Sequence, residues 1–119
     1  MNAAEMEFCL DEKHSVIEML YALAVKQNEG LIQGDIEKVI FLDEKKRILV
    51  EKMDVLNSKI KGLLKAGKPP ESIKNKVKTV NGSFEKLLDI EKKNDFLVSE
   101  TIALNSGKHV KAYSKLKGL

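Results

Sequence analysis

Between Val39 and Leu63, apolar side chains recur at steps of three and four residues: Val39, Leu42, Leu49, Met53, Leu56, Ile60 and Leu63. Lys46 fills the one remaining slot of the repeat. That spacing sets the side chains in a single narrow stripe along a helix, the seam by which one helix packs against others. Asp43, Glu44, Lys45, Arg47, Glu51, Lys52, Asp54, Lys59 and Lys61 lie between them and charge the other faces. Such a helix is stable only with its seam buried. The expected fold is therefore all-α: an antiparallel three-helix bundle or coiled coil of long helices, with a short helical or flexible C-terminal tail.

The flanking sequence supplies the partners. Met6, Leu10, Ile17, Leu20, Ala24 and Leu31 form a stripe, widened by Phe8, Val16, Leu23 and Ile32, that predicts a first helix over about 4–33. Gly34-Asp35 then stops one helix and starts the next, since Gly tolerates a left-handed backbone and Asp accepts from free N–H groups. A turn that short folds the second helix, about 36–66, back on the first. Gly67-Lys68-Pro69-Pro70 ends it, and Pro70 suits the first turn of a third helix. Ile73, Val77, Val80, Phe84, Leu87, Ile90, Leu97 and Leu104 carry that helix over about 71–104, with Asn94 and Thr101 as polar members of the stripe. Asn81-Gly82-Ser83 interrupts it and leaves a kink or break open. The expected organisation is one bundle over 1–105 and a basic amphipathic tail over 106–119, where Val110, Tyr113 and Leu116 stand among Lys108, Lys111, Lys115 and Lys117.

Charge is unevenly spread: residues 1–44 hold three Lys against ten acidic residues, and 45–119 hold eighteen Lys and Arg against eight. An acidic front facing a basic back supports helix pairing or steers a partner; a net charge of +3 is too mild to imply nucleic acid. Cys9 is the single cysteine, so neither an internal disulfide nor a thiolate zinc site is expected. The N-terminal stretch lacks the basic and apolar regions of a secretory signal, and no apolar run reaches membrane length, so a cytoplasmic protein without a membrane span is expected.

Catalytic patterns are weak. Gly62 to Lys68 nearly matches a phosphate-cradling loop, but Pro69 stands where the magnesium-binding hydroxyl belongs, and the segment follows a helix. His14 and His109 are isolated, and adjacent pairs such as Asp11-Glu12 and Asp43-Glu44 point to different parts of a helix surface. Neighbouring carboxylates make Cys9 a poor nucleophile. The expectation is a non-enzyme without cofactor or metal. Lys46 within the seam fixes register or partner number, or extends its stem to the edge.

The acidic first helix, the Gly34-Asp35 turn, a second helix with Leu42, Lys45 or Lys46 and Leu49, and Asn94-Asp95-Phe96-Leu97 in the third resemble the FlgN-type flagellar export chaperones. The resemblance spans most of the chain. It implies a cytoplasmic chaperone that binds hook-associated proteins of the FlgK and FlgL type through their C-terminal helical segments, keeps them unassembled and delivers them to the export apparatus. Ile90, Leu97, Leu104, Val110, Tyr113 and Leu116 are the client-facing candidates, and Tyr113 is the residue expected at the export gate. The alternatives are another type III secretion chaperone, or a structural coiled coil that self-associates through the Val39–Leu63 seam.

Overall fold

The computed structural model of the protein describes residues 2–104, with side chains to residue 100. It contains three helices, α1 (Ala3–Gln33), α2 (Ile36–Lys65) and α3 (Glu71–Leu104), and no strand among the described residues. They run up, down and up as an all-α three-helix bundle in a rod of 53 × 19 × 17 Å. At ~1.5 Å per residue, α3 alone accounts for the long dimension.

Local chemistry sets the helix ends. Asn2 Oδ1 accepts from the Glu5 N–H at 3.1 Å and caps α1. At its other end Gly34 takes φ 75°, and the Asp35 N–H donates to the Gly30 carbonyl at 2.8 Å, closing a left-handed helix stop. Asp35 Oδ1 then accepts from the Lys38 N–H at 3.2 Å and starts α2. Pro70 sits one residue before α3, and its carbonyl accepts the first helical hydrogen bonds, from the Ile73 and Lys74 N–H groups. Helix α3 passes unbroken through Asn81-Gly82-Ser83, which settles the question of a break that its sequence leaves open.

Helix α1 is the spine. Both α2 and α3 pack closely on it, whereas no α-carbon of α2 lies within 8 Å of one in α3 among the described residues. That placement explains why α1 buries a broad stripe, including Met6, Cys9, Leu10, Val16, Ile17, Leu20 and Ala24, while α2 buries only its narrow seam. Each Met, Leu, Val or Ile among them stabilises the fold by about 1.5–3 kcal/mol relative to exposure. Gly30 lets the two strokes of the hairpin approach closely: a Cβ there would stand 3.1 Å from Val39 Cγ2.

The core is in two parts. The larger joins Met6 to Ala24 of α1, Met53, Leu56 and Ile60 of α2, and Ile73, Val80 and Leu87 of α3. The smaller, at the Gly34 end, holds Leu31, Val39 and Val98 with Ile36 and Leu97 against them. The seam from Val39 to Leu63 faces inward as its spacing predicts, with Leu49 and Leu63 only partly buried. The other faces of α2 are less polar than its charged residues suggest, since Phe41, Ile48 and Val55 are all more than half exposed. On α1, Phe8 and Ile32 also turn outward, although the apolar pattern alone includes them in the stripe.

Candidate functional site

Three features of the folded chain bear on function: a buried polar layer, a hollow beside α3 and an apolar strip along α1 and α2. The polar layer lies between the two parts of the core. Lys46 is buried, and its Nζ donates to Gln27 Oε1 at 2.8 Å and pairs with the Glu91 carboxylate, tying α2 to α1 and α3. Gln27, also buried, donates through Nε2 to the Val39 carbonyl at 3.0 Å. Asn94 completes the layer: its Nδ2 donates to the Ala24 carbonyl at 2.9 Å, and its Oδ1 accepts from Asn28 at 3.1 Å. Buried polar groups joined in this way admit one register of three sliding helices and penalise the others.

Asp43 flanks this layer. Burial pushes its carboxyl above the usual aspartate range, with Glu91 and Glu44 adding to the effect, while Lys46 and a hydrogen bond from Gln27 oppose it. On the surface, Lys76 reaches Asp11 at 2.7 Å and Glu7 at 3.1 Å, and these carboxylates raise its ammonium above the lysine range. His14 is half-buried, with Nε2 3.0 Å from Ser83 Oγ and 3.3 Å from Glu18. Cys9 is a free thiol in the core.

The client-facing candidates fall in different settings. Ile90 is half-buried and packs against the larger core, and Leu97 packs against the smaller one. Leu104 lies at the end of α3, with its side chain outside the described set, and Val110, Tyr113 and Leu116 lie outside the described residues. The structure therefore brings Ile90 and Leu97 to one side of α3 and places the backbone of Leu104 at its end, while the expectations for Val110, Tyr113 and Leu116 fall outside the described residues.

Phe96 belongs to the Asn94–Leu97 motif but not to the candidates that spacing singles out. It is 62% exposed beside Leu97 and, with Asn28, Lys92 and Lys93, lines a shallow hollow of about 420 Å³ between α1 and α3. A second hollow, of about 440 Å³, lies on the other side of α1, where Met19, Ala22, Leu23, Lys45, Ile48 and Leu49 meet. The seven-residue spacing of Phe41, Ile48 and Val55 is the sequence signal that points to it.

The segment resembling a phosphate loop is no loop at its start: Gly62 to Lys65 form the last turn of α2. No group of three or more His, Cys, Asp or Glu side chains is placed to hold a metal among the described residues. No helix of that set is long and apolar enough to cross a membrane. The fold and these surfaces define a class, the all-α three-helix bundle with open apolar edges. Compared with family models, curated proteins and solved structures, the chain finds no match in any of the three.

Proposed function

We propose that the protein is a non-catalytic export chaperone of the FlgN type, acting in the cytoplasm on hook-associated proteins. It covers the client's C-terminal amphipathic helix, keeps it from assembling and hands it to the type III export apparatus. The observation that carries this reading is the hollow at Phe96 and Leu97, an apolar opening edged by Lys92 and Lys93 in the last third of α3. A client helix lays its apolar side against such an edge, and its flanking acids meet the lysines, which speed encounter more than they deepen affinity. Ile90, Leu97 and Leu104 supply the helical part of the client surface, and Val110, Tyr113 and Leu116 extend it, with Tyr113 reserved for the export gate.

Truncation tests it. Removing residues 106–119 abolishes capture of a purified hook-associated protein while the helical circular dichroism stays largely intact. Undiminished binding by the truncated chain overturns the reading. Self-association through the Val39–Leu63 seam has less support, because most of that seam is already buried within the bundle.

A further inference from the structure

We infer that the open face between α1 and α2 is a docking site for a second kind of partner: an amphipathic helix whose apolar stripe is flanked by carboxylates. This face is separate from the Phe96 hollow and stands whether or not the chaperone reading does. The key pattern is on α2, where Phe41, Lys45, Ile48, Lys52, Val55 and Lys59 follow one another at steps of four and three residues. Apolar and basic side chains alternate along a stripe next to the buried seam. Phe41, Ile48 and Val55 are 61%, 62% and 56% exposed, well beyond scattered surface hydrophobics.

Helix α1 forms the opposite wall. Met19 is 53% exposed and meets Ile48 and Lys45 across the shared hollow. One hairpin level further from Gly34, Lys52 pairs with Glu12 at 3.4 Å, which fixes how the two walls line up. Phe8, 64% exposed, lies one turn beyond Glu12 on the same side of α1. Leu23 and Leu49 are half-buried at the floor. The result is a trough with an apolar bed and a basic α2 wall.

Charge decides the occupant. The α2 wall carries a lysine every seven residues; Lys52 is already engaged by Glu12, Lys45 and Lys59 are left to a partner, and Lys45 lies over the Phe41 ring at 4.8 Å. A matching helix places acids opposite Lys45 and Lys59, 14 residues apart, beside its apolar stripe. From Phe41 to Lys59 the wall spans about 27 Å at ~1.5 Å per residue, so the partner segment is roughly 18–20 residues long. A second copy of this chain fits less well, since the same α2 stripe on it carries Lys45, Lys52 and Lys59 and no carboxylate.

The test uses the full chain and two fluorescent 21-residue helical peptides. Both carry Leu and Ile on one face; one has Glu in the flanking positions, the other Lys. Binding is followed by anisotropy, and the fold of every variant by circular dichroism. The Glu peptide binds, and the Lys peptide binds at least about tenfold more weakly. Ile48→Glu lowers affinity for the Glu peptide by about tenfold or more, while Leu88→Glu on α3 leaves it unchanged. Lys45→Glu combined with Lys59→Glu reverses the preference toward the Lys peptide. Equal binding of both peptides, or indifference to Ile48→Glu in a folded variant, overturns the inference. So does a concentration-dependent dimer in sedimentation that Ile48→Glu abolishes, because the trough would then belong to a second copy.

Discussion

Lys46 is the residue at which sequence and structure meet most closely. Its place in an apolar repeat leaves two readings, a device that fixes register or partner number and a stem that extends to the edge, and a cation buried in a core needs partners. Its partners were not legible: Gln27 and Glu91 lie on two other helices, and only the register of the bundle brings them together. Lys46→Ala strands both of them, and a loss of about 1–3 kcal/mol is expected because Glu91 keeps some contact with water. Urea unfolding checks it, through a lower midpoint at unchanged slope. Lys46→Met combined with Glu91→Leu removes the ion pair and leaves only Gln27 Oε1 without its donor, so the loss is expected to be smaller than that of Lys46→Ala.

Asp43 gives a pH signature at the same scale. Because burial raises its folded-state pKa, ionisation is harder in the fold than in the unfolded chain. Its contribution therefore favours the fold below the ordinary aspartate range and is lost as pH rises through the folded value. Asp43→Asn removes that penalty: the variant is expected to be more stable than the parent at pH 7, with the difference closing below about pH 4. A difference that stays constant or grows toward low pH contradicts the assignment. Unfolding midpoints of the two proteins across this range decide the point.

At the scale of the element, glycines separate what helices tolerate from what they require. Gly82 lies mid-helix with open space where a methyl group would stand, so it contributes only its weak helix propensity. Gly82→Ala is expected to stabilise α3 by about 1 kcal/mol. Gly30→Ala gains no comparable amount, since the new methyl presses on Val39, and Gly34→Ala destabilises by about 1 kcal/mol through its left-handed backbone. Thermal unfolding of the three variants should rank them in that order. The same contrast explains what the sequence could tell about each helix. The seam of α2 and the Gly34-Asp35 turn are local signals, so three helices and their connections could be read from spacing and turn chemistry. The neighbouring stripe of Phe41, Ile48 and Val55 has the same seven-residue repeat one position earlier. Which of two adjacent stripes becomes core depends on where α1 and α3 lie, and local periodicity does not contain that.

For the whole molecule, the polar layer divides the rod into unequal halves. The larger apolar cluster draws on all three helices, whereas the cluster at the Gly34 end rests on Leu31, Val39 and Val98 with two half-buried neighbours. Local opening free energy follows the apolar surface that must be exposed, so the Gly34 end opens more readily than the rest. Hydrogen exchange should show it: amides of residues 16–20, 53–60 and 80–87 exchange slowest, and those of 29–33 and 95–100 at least about tenfold faster. Uniform protection along α3 would mean that the bundle opens only as a unit and that the layer does not partition it. Stability and the proposed activity meet at this end of the rod, which carries Leu97 and Phe96. A client helix that settles there gains contacts from residues that the fold holds least firmly, and it should slow exchange at 95–100 while leaving 53–60 unchanged.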